Sequence, residues 1–287
     1  MDSIWINAPA KINIGLDVLR RREDGYHEVK MIMQSIRLFD RLTLKKSETP
    51  GIHLSSNLHF LPTNENNLVY QSAKLLRDEF GIDEGLDIFL DKRIPVAAGM
   101  AGGSTDAASC MLAMNELYDL GLNKRQLMKR GVTLGADIPY CILKGTALSE
   151  GIGEKLSTIP KMPDCYILIA KPRIHVSTKF VYTNLVLDEN SPHPDIDAMI
   201  LAMKNRDLND LCARLGNILE TVTIPAHPEI DVIKQCMIEH GALGSLMSGS
   251  GPTVFGVFDD PDKAAFAKEK CRELPFKCFV FTTDLYR

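Results

Sequence analysis

Polar and apolar positions alternate from 11 to 18. Ile12, Ile14, Leu16 and Val18 point one way and Lys11, Asn13, Gly15 and Asp17 the other, the pattern of a strand with one buried face. Ile4, Trp5 and Ile6 predict a separate strand ahead of it, ending at Pro9. An Asp24-Gly25 turn leads into an apolar-rich strand through Met33, and a further strand over 42–45 is expected to pair with one over 52–54. Leu68, Ala73, Leu76 and Phe80 form a helical stripe over 68–80, behind polar TNENN at 63–67 and ended by Gly81. After a strand at 86–90, the stretch PVAAGMAGGSTDAA at 95–108 sets three glycines ahead of a helix reaching about 120. Ser104 or Thr105 takes the cap position there, with Asp106 in the first turn. Asn123 starts a short helix to 132, and a strand over 146–149 runs into a glycine hairpin at Gly151 and Gly153.

The pattern changes at IPKMP, 159–163, which predicts a boundary dividing the chain into domains 1–162 and 163–287. Beyond it come a strand at 165–170 and helices over 177–185, 196–203, 208–211, 218–222 and 229–240. Strands at 243–247 and 253–258 flank a second glycine-rich segment, followed by a helix at 261–271 and a last strand at 276–282. The class is α+β, with no internal repeat.

Composition narrows the function classes. A chain of 287 residues, 45% hydrophobic and 24% charged, is that of a soluble globular protein. Its formal charge of -4 and the lack of a basic-aromatic stripe argue against nucleic acid as a partner, while leaving room for a local anion site. No stretch has the length of a membrane span, and no basic leader precedes the first strand, so a cytoplasmic location without membrane contact is expected. Seven cysteines in apolar settings, with no CxxC, read as buried thiols in a reducing compartment.

The candidate chemistry centres on 95–108. Gly99, Gly102 and Gly103 let backbone turn tightly or approach a ligand, and a helix that starts there points unpaired N–H groups at an anion. A capped turn without a ligand fits the same residues. No lysine follows the glycines, so this is not a Walker A loop. Lys92 and Arg93 add positive charge just upstream. Asp137, between a glycine turn and Pro139, is a carboxylate in apolar company that needs either a partner or a task; a turn cap is the alternative. Tyr26 and His27, beside a tight turn, line either a pocket or a hairpin rim.

Three segments in order, PAKINIGLDV at 9–18, PVAAGMAGGSTDAA at 95–108 and LMSGSGPTVFG at 246–256, resemble the signatures of the kinase superfamily of galactokinase, homoserine kinase, mevalonate kinase and phosphomevalonate kinase. DGYHEV at 24–29, ENNLVY at 65–70, LGADIPYC at 134–141 and GTALSEGIGE at 145–154 extend the likeness over nearly the whole chain. The resemblance implies an N-terminal domain like ribosomal-protein domain 2 and a ferredoxin-like C-terminal domain. It implies ATP with Mg²⁺, and transfer of the γ-phosphoryl group to the 2-hydroxyl of 4-diphosphocytidyl-2-C-methyl-D-erythritol in non-mevalonate isoprenoid synthesis. Other kinases of the superfamily, acting on homoserine, mevalonate or a sugar, and a catalytically silent metabolite-binding paralogue are the competing readings.

Carried onto this chain, the resemblance makes Asp137 the acceptor of the hydroxyl proton and Lys11 the nearby cation that holds Asp137 ionised and lowers the pKa of the attacking alcohol. ATP falls to Asn67, Leu68, Lys92, Pro95, Val96, Ala97, Ala98, Gly99, Met100, Ala101, Gly102, Gly103, Ser104 and Thr105. The alcohol substrate falls to Asn13, Asp17, Tyr26, His27, Thr178, Tyr182, Gly249, Ser250 and Gly251, with an aromatic ring stacked on cytosine and His27 reading its edge. Met100 and Thr105 replace the commoner Leu and Ser, keeping apolar volume and the hydroxyl, and Ile152 stands where a basic or small residue is usual. Neither a protein ligand for Mg²⁺ nor the oligomeric state is indicated.

Overall fold

The computed structural model describes residues 2–286. The chain forms two compact units, one of residues 1–10, 38–96 and 101–144, the other of 11–37, 97–100 and 145–287. They alternate along the sequence because two long strands, β1 (Ser3–Arg21) and β2 (His27–Ser47), contribute residues to both. The expected break at Pro9 does not occur, and the strands foreseen to Met33 and over 42–45 are one. Proline fixes a φ that extended chain already uses and lacks only the N–H, while the Pro9 carbonyl accepts a hydrogen bond from Thr105 Oγ1 at 2.8 Å.

In the first unit, β3 (Ile52–Ser56) is followed by α1 (Leu68–Phe80), β4 (Gly85–Asp91), α2 (Gly102–Leu117), α3 (Lys124–Gly131) and α4 (Ile138–Leu143). Asn67 caps α1 and Gly81 ends it in the left-handed conformation, both as the pattern predicts. The β3 strand pairs in parallel with β4 (Ile52 opposite Leu86), whereas β2 takes the other edge of β4 (Leu42 opposite Leu90), correcting the expected pairing of 42–45 with 52–54. Leu42, Leu44, Leu86, Ile88 and Leu90 turn one sheet face into the core, where they share burial with Leu76, Ala107, Met111 and Met114 of the helices.

The second unit continues with β5 (Thr146–Gly151), β6 (Lys155–Thr158), β7 (Tyr166–Pro172), α5 (Thr178–Asn184), α6 (Ile196–Lys204), α7 (Leu208–Ala213), β8 (Gly216–Asn217), α8 (Glu220–Ala226) and α9 (Glu229–Glu239). The strands β9 (Gly244–Met247) and β10 (Val254–Phe258), α10 (Pro261–Arg272) and β11 (Cys278–Asp284) complete it. Four of its strands form an antiparallel sheet in the order β11-β7-β10-β9, with α9 and α10 packed on it, the ferredoxin-like arrangement. Ile167, Ile169, Val254, Phe255 and Val257 are buried there. The β8 strand pairs in parallel with β1 (Gly15 opposite Gly216), and β5 pairs with β2 (Val29 opposite Gly151).

Gly85 is held tightly. A β-carbon there would run into the backbone carbonyl oxygens of Thr49 and Ser47, which a rotamer change cannot clear. Gly85→Ala should therefore cost about 2–3 kcal/mol of unfolding free energy, read as a lower urea midpoint at unchanged m-value; an unchanged midpoint contradicts the account.

Candidate active site

Three site elements of the second unit converge on one carbonyl. Lys11 and Asn13 leave the same face of β1 because side chains two residues apart do so, and the Lys11 ammonium donates to Asn13 Oδ1 at 2.6 Å and to Gly99 O at 3.3 Å. Ser248 Oγ donates to the same Gly99 carbonyl at 3.0 Å and accepts the Asn13 N–H at 3.3 Å. Lys11, Asn13 and Ser248 are all buried. Among the described residues of its unit, the ammonium has neutral oxygens as partners and pairs with no carboxylate. A buried cation so arranged is under-neutralised and favours an anionic ligand or developing negative charge.

The turn bearing Ser248 is built to make this approach. Gly99 has φ +71 and Gly249 φ +58, and at Gly99 a β-carbon would overlap Ser248 O and lie 3.1 Å from Gly251 O. Asn217 of β8 donates to Met247 O and Gly249 O, both at 2.8 Å, and Glu220 accepts the Met247 N–H at 2.8 Å. Thr178 meets Ser250 hydroxyl to hydroxyl at 2.9 Å, while Thr223 donates to Ser250 O at 3.3 Å. His27 and Tyr182 come together as rings with centroids 5.1 Å apart, tilted by 42°. Tyr26 is 60% exposed, its N–H bonded to Asp24. Asp17 is buried and bonded to His193 Nδ1 at 2.7 Å.

In the first unit, α2 starts one turn earlier than Ser104 or Thr105 would place it. Its N-cap is Ala101, in the left-handed region at φ 53, and no side chain caps it. Gly102, Gly103 and Ser104 therefore present first-turn N–H groups that the helix leaves unpaired. In the second unit Ala97 and Gly99 are left-handed, at φ 51 and φ 71; in the first, Ala101 leads into the three α2 amides, and successive N–H groups aimed one way form an anion-sized concavity. These residues fit a nucleotide phosphate. The Thr105 hydroxyl is taken by Pro9, Leu68 Cδ1 lies 3.7 Å from where a Gly103 β-carbon would be, and Asn67 is held by its own cap bond to Val69 and by Pro62.

Asp106, expected in the first turn, lies in the second and is buried. Lys92 bridges it at 2.7 Å to Asp40, which also takes the Lys92 ammonium. Burial works to lower the Lys92 pKa, but attraction from Asp106 and Asp40 raises it overall. Burial, and secondarily repulsion from Asp40, holds Asp106 well above the usual carboxylate range against the pull of Lys92. Asp137 is the N-cap of α4, yet among the described residues its carboxylate makes no cap bond. Among the described residues no group of three or more His, Cys, Asp or Glu side chains is placed to hold a metal ion.

The GHMP kinases N terminal domain matches residues 67–145 and the GHMP kinases C terminal domain residues 199–275. The 4-diphosphocytidyl-2-C-methyl-D-erythritol kinase of Lachnoclostridium phytofermentans is 54% identical over 286 residues, covering 100% of this chain and 98% of that one. This chain belongs to the 4-diphosphocytidyl-2-C-methyl-D-erythritol kinase family, within the GHMP kinases. The family protein of Lachnospira eligens is 51% identical over 100% of this chain and 99% of its own. A crystal structure of 4-(cytidine 5'-diphospho)-2C-methyl-D-erythritol kinase superposes with TM-score 0.84 at 33% identity, over 99% of this chain and 100% of the other. Homoserine kinase from Cytophaga hutchinsonii, at 20% identity and TM-score 0.83 over 99% and 95%, shares the fold.

Sequence reading of the kinase-family motifs missed Asp40, Asp106, Ser248, Asn217 and His193. Ser248 was within reach, since it opens the SGSG run at 248–251. The other four give no local signal of these contacts, because the partners lie 14 to 176 positions away.

His27 is half-buried, and burial first, then the charge of Arg21, lowers its pKa below the ordinary imidazole value. The ring is therefore neutral at pH 7 and gains its proton only as the pH falls further than usual. An NMR titration should place its midpoint below about 6.5; a midpoint at or above that value contradicts this environment.

Proposed function

We infer that this chain transfers the γ-phosphoryl group of ATP to the 2-hydroxyl of 4-diphosphocytidyl-2-C-methyl-D-erythritol, releasing ADP, as a cytoplasmic enzyme of non-mevalonate isoprenoid synthesis. The reading is carried by the 54% identity over 286 residues, which extends through both halves of the chain rather than one conserved motif. The split of roles at 162/163, phosphate loop and catalytic residues before it and the rest of the substrate site after it, belongs to the same proposal.

The first-turn amides of α2 and the Ser104 hydroxyl bind phosphate oxygens, with Asn67, Leu68 and 95–103 shaping the nucleotide's surroundings. Lys92 acts from beneath, its ammonium already shared by two aspartates. When bound, Mg²⁺ neutralises charge on the phosphate oxygens. Asp137, whose carboxylate makes no cap bond among the described residues, accepts the proton of the 2-hydroxyl. That oxygen forms its bond to the γ-phosphorus as the bond to the β-phosphate oxygen breaks, the electron pair leaving with ADP. Lys11, buried and paired with neutral oxygens in its unit, supplies positive charge to the forming phosphoester. Asn13 sets the Lys11 ammonium. Neutral His27 reads the cytosine edge beside Tyr182, Tyr26 offers an exposed ring for stacking, and Thr178 and Ser250 offer paired hydroxyls. Asp17, Gly249 and Gly251 complete the substrate set.

ADP formation should be followed with Mg-ATP and a panel of the cytidyl substrate, methylerythritol 4-phosphate, mevalonate and homoserine. Turnover is expected with the cytidyl compound, and equal or faster turnover of a compound lacking cytidine overturns the assignment. Asp137→Asn should lower kcat by about 10²-fold or more while ATP still binds; near-normal turnover rejects the base role.

A further inference from the structure

The buried Asp40–Lys92–Asp106 cluster lies against both ends of the glycine-rich loop. On the entry side, Asp40 Oδ1 accepts the backbone N–H groups of Arg93 at 2.6 Å and Ile94 at 2.8 Å, fixing the chain just before Pro95. Asn57 clamps Lys92 itself, accepting its N–H at 2.8 Å and donating to its carbonyl at 3.1 Å. On the exit side, Lys92 reaches Asp106 one turn inside α2. The ammonium lies so close to the start of α2 that a β-carbon on Gly102 would be 3.1 Å from Nζ. Asp40 is 0% exposed, Asp106 2% and Lys92 7%.

Such a cluster is a poor means of stabilising a fold, because desolvation of buried ionisable groups offsets their attraction. It is incompletely satisfied as well: among the described residues, Asp106 Oδ1 is buried with no hydrogen-bond partner. Geometry is what it does provide. One carboxylate holds two successive amides upstream of the loop, one ammonium ties that carboxylate to the helix downstream, and the distance between the loop's ends is thereby set before any nucleotide arrives.

We propose that Asp40 is a positioning residue for phosphoryl transfer: through Lys92 and Asp106 it holds the two ends of the 95–101 loop at the spacing that bound nucleotide phosphates require. The proposal rests on the nucleotide reading of that loop given above. Asp40 touches no substrate and acts on nucleotide affinity alone.

The test is steady-state kinetics of the full-length Asp40→Ala and Asp40→Asn proteins against wild type, with ATP and the cytidyl substrate varied separately. Asp40→Ala leaves the Arg93 and Ile94 amides without their acceptor and should raise KM for ATP about tenfold or more. Asp40→Asn keeps an acceptor of the same size but loses the negative charge that faces Lys92, and should raise KM for ATP about threefold. In both, kcat and KM for the cytidyl substrate should stay within about twofold of wild type, since only the loop's preset spacing is altered. A merely structural role would reduce the active fraction, lowering kcat with both KM values unchanged, and that result overturns the proposal. An unchanged KM for ATP in the variants overturns it too, and if the alanine protein does not fold the asparagine protein decides alone. A wild-type chain inert toward ATP overturns the nucleotide reading and this proposal with it, whereas an active wild type with unaffected variants overturns only the latter.

Discussion

The carbonyl oxygen of Gly99 is the point on which the second unit's site depends. It accepts from Ser248 Oγ and from the Lys11 ammonium, in a space that admits no β-carbon. Two glycine-rich segments 149 positions apart in sequence are brought together by this contact, and a lysine is buried in the process. Each feature constrains the others. The positive φ at Gly99 and Gly249 allows the backbone approach, the approach supplies a neutral acceptor for Lys11, and the neutral acceptor leaves the ammonium's charge available to a ligand.

A second solution to the charge problem operates in the first unit. The start of α2 carries no lysine of its own, and its positive potential comes from unpaired amides at an uncapped helix start that follows left-handed Ala101. Lys92, whose ammonium lies beside the start of α2, is shared by two aspartates and so contributes shape more than charge. Backbone conformation, rather than a mobile cation, thus defines the anion site, which explains why alanines at 97 and 101 are held where glycine would be easier.

Much of this was legible in the chain. Alternation over 11–18 places Lys11, Asn13 and Asp17 on one face, Asn67 and Gly81 bound α1, and the glycines of 95–108 mark the start of α2 while leaving an anion site and a bare capped turn both open. The boundaries that failed did so for local reasons: Pro9 is compatible with extended chain, so β1 runs on, and Ala101 caps α2 by conformation rather than by a hydroxyl, so Ser104 and Thr105 fall inside the helix. Asp40 could not be read, because an acidic residue in a strand looks solvated until the partners at 92, 93 and 94 are brought beside it. Long-range polar pairing has no period in sequence, whereas burial of an apolar face does.

Binding of nucleotide phosphates by backbone amides at the glycine loop and the start of α2 is read out by following the backbone amide resonances while a non-hydrolysable ATP analogue is added with Mg²⁺. The amides of Gly99, Gly102, Gly103 and Ser104 should show the largest shifts, saturating together. Saturable binding that leaves these four amides unmoved, with the large shifts elsewhere in the chain, would contradict it.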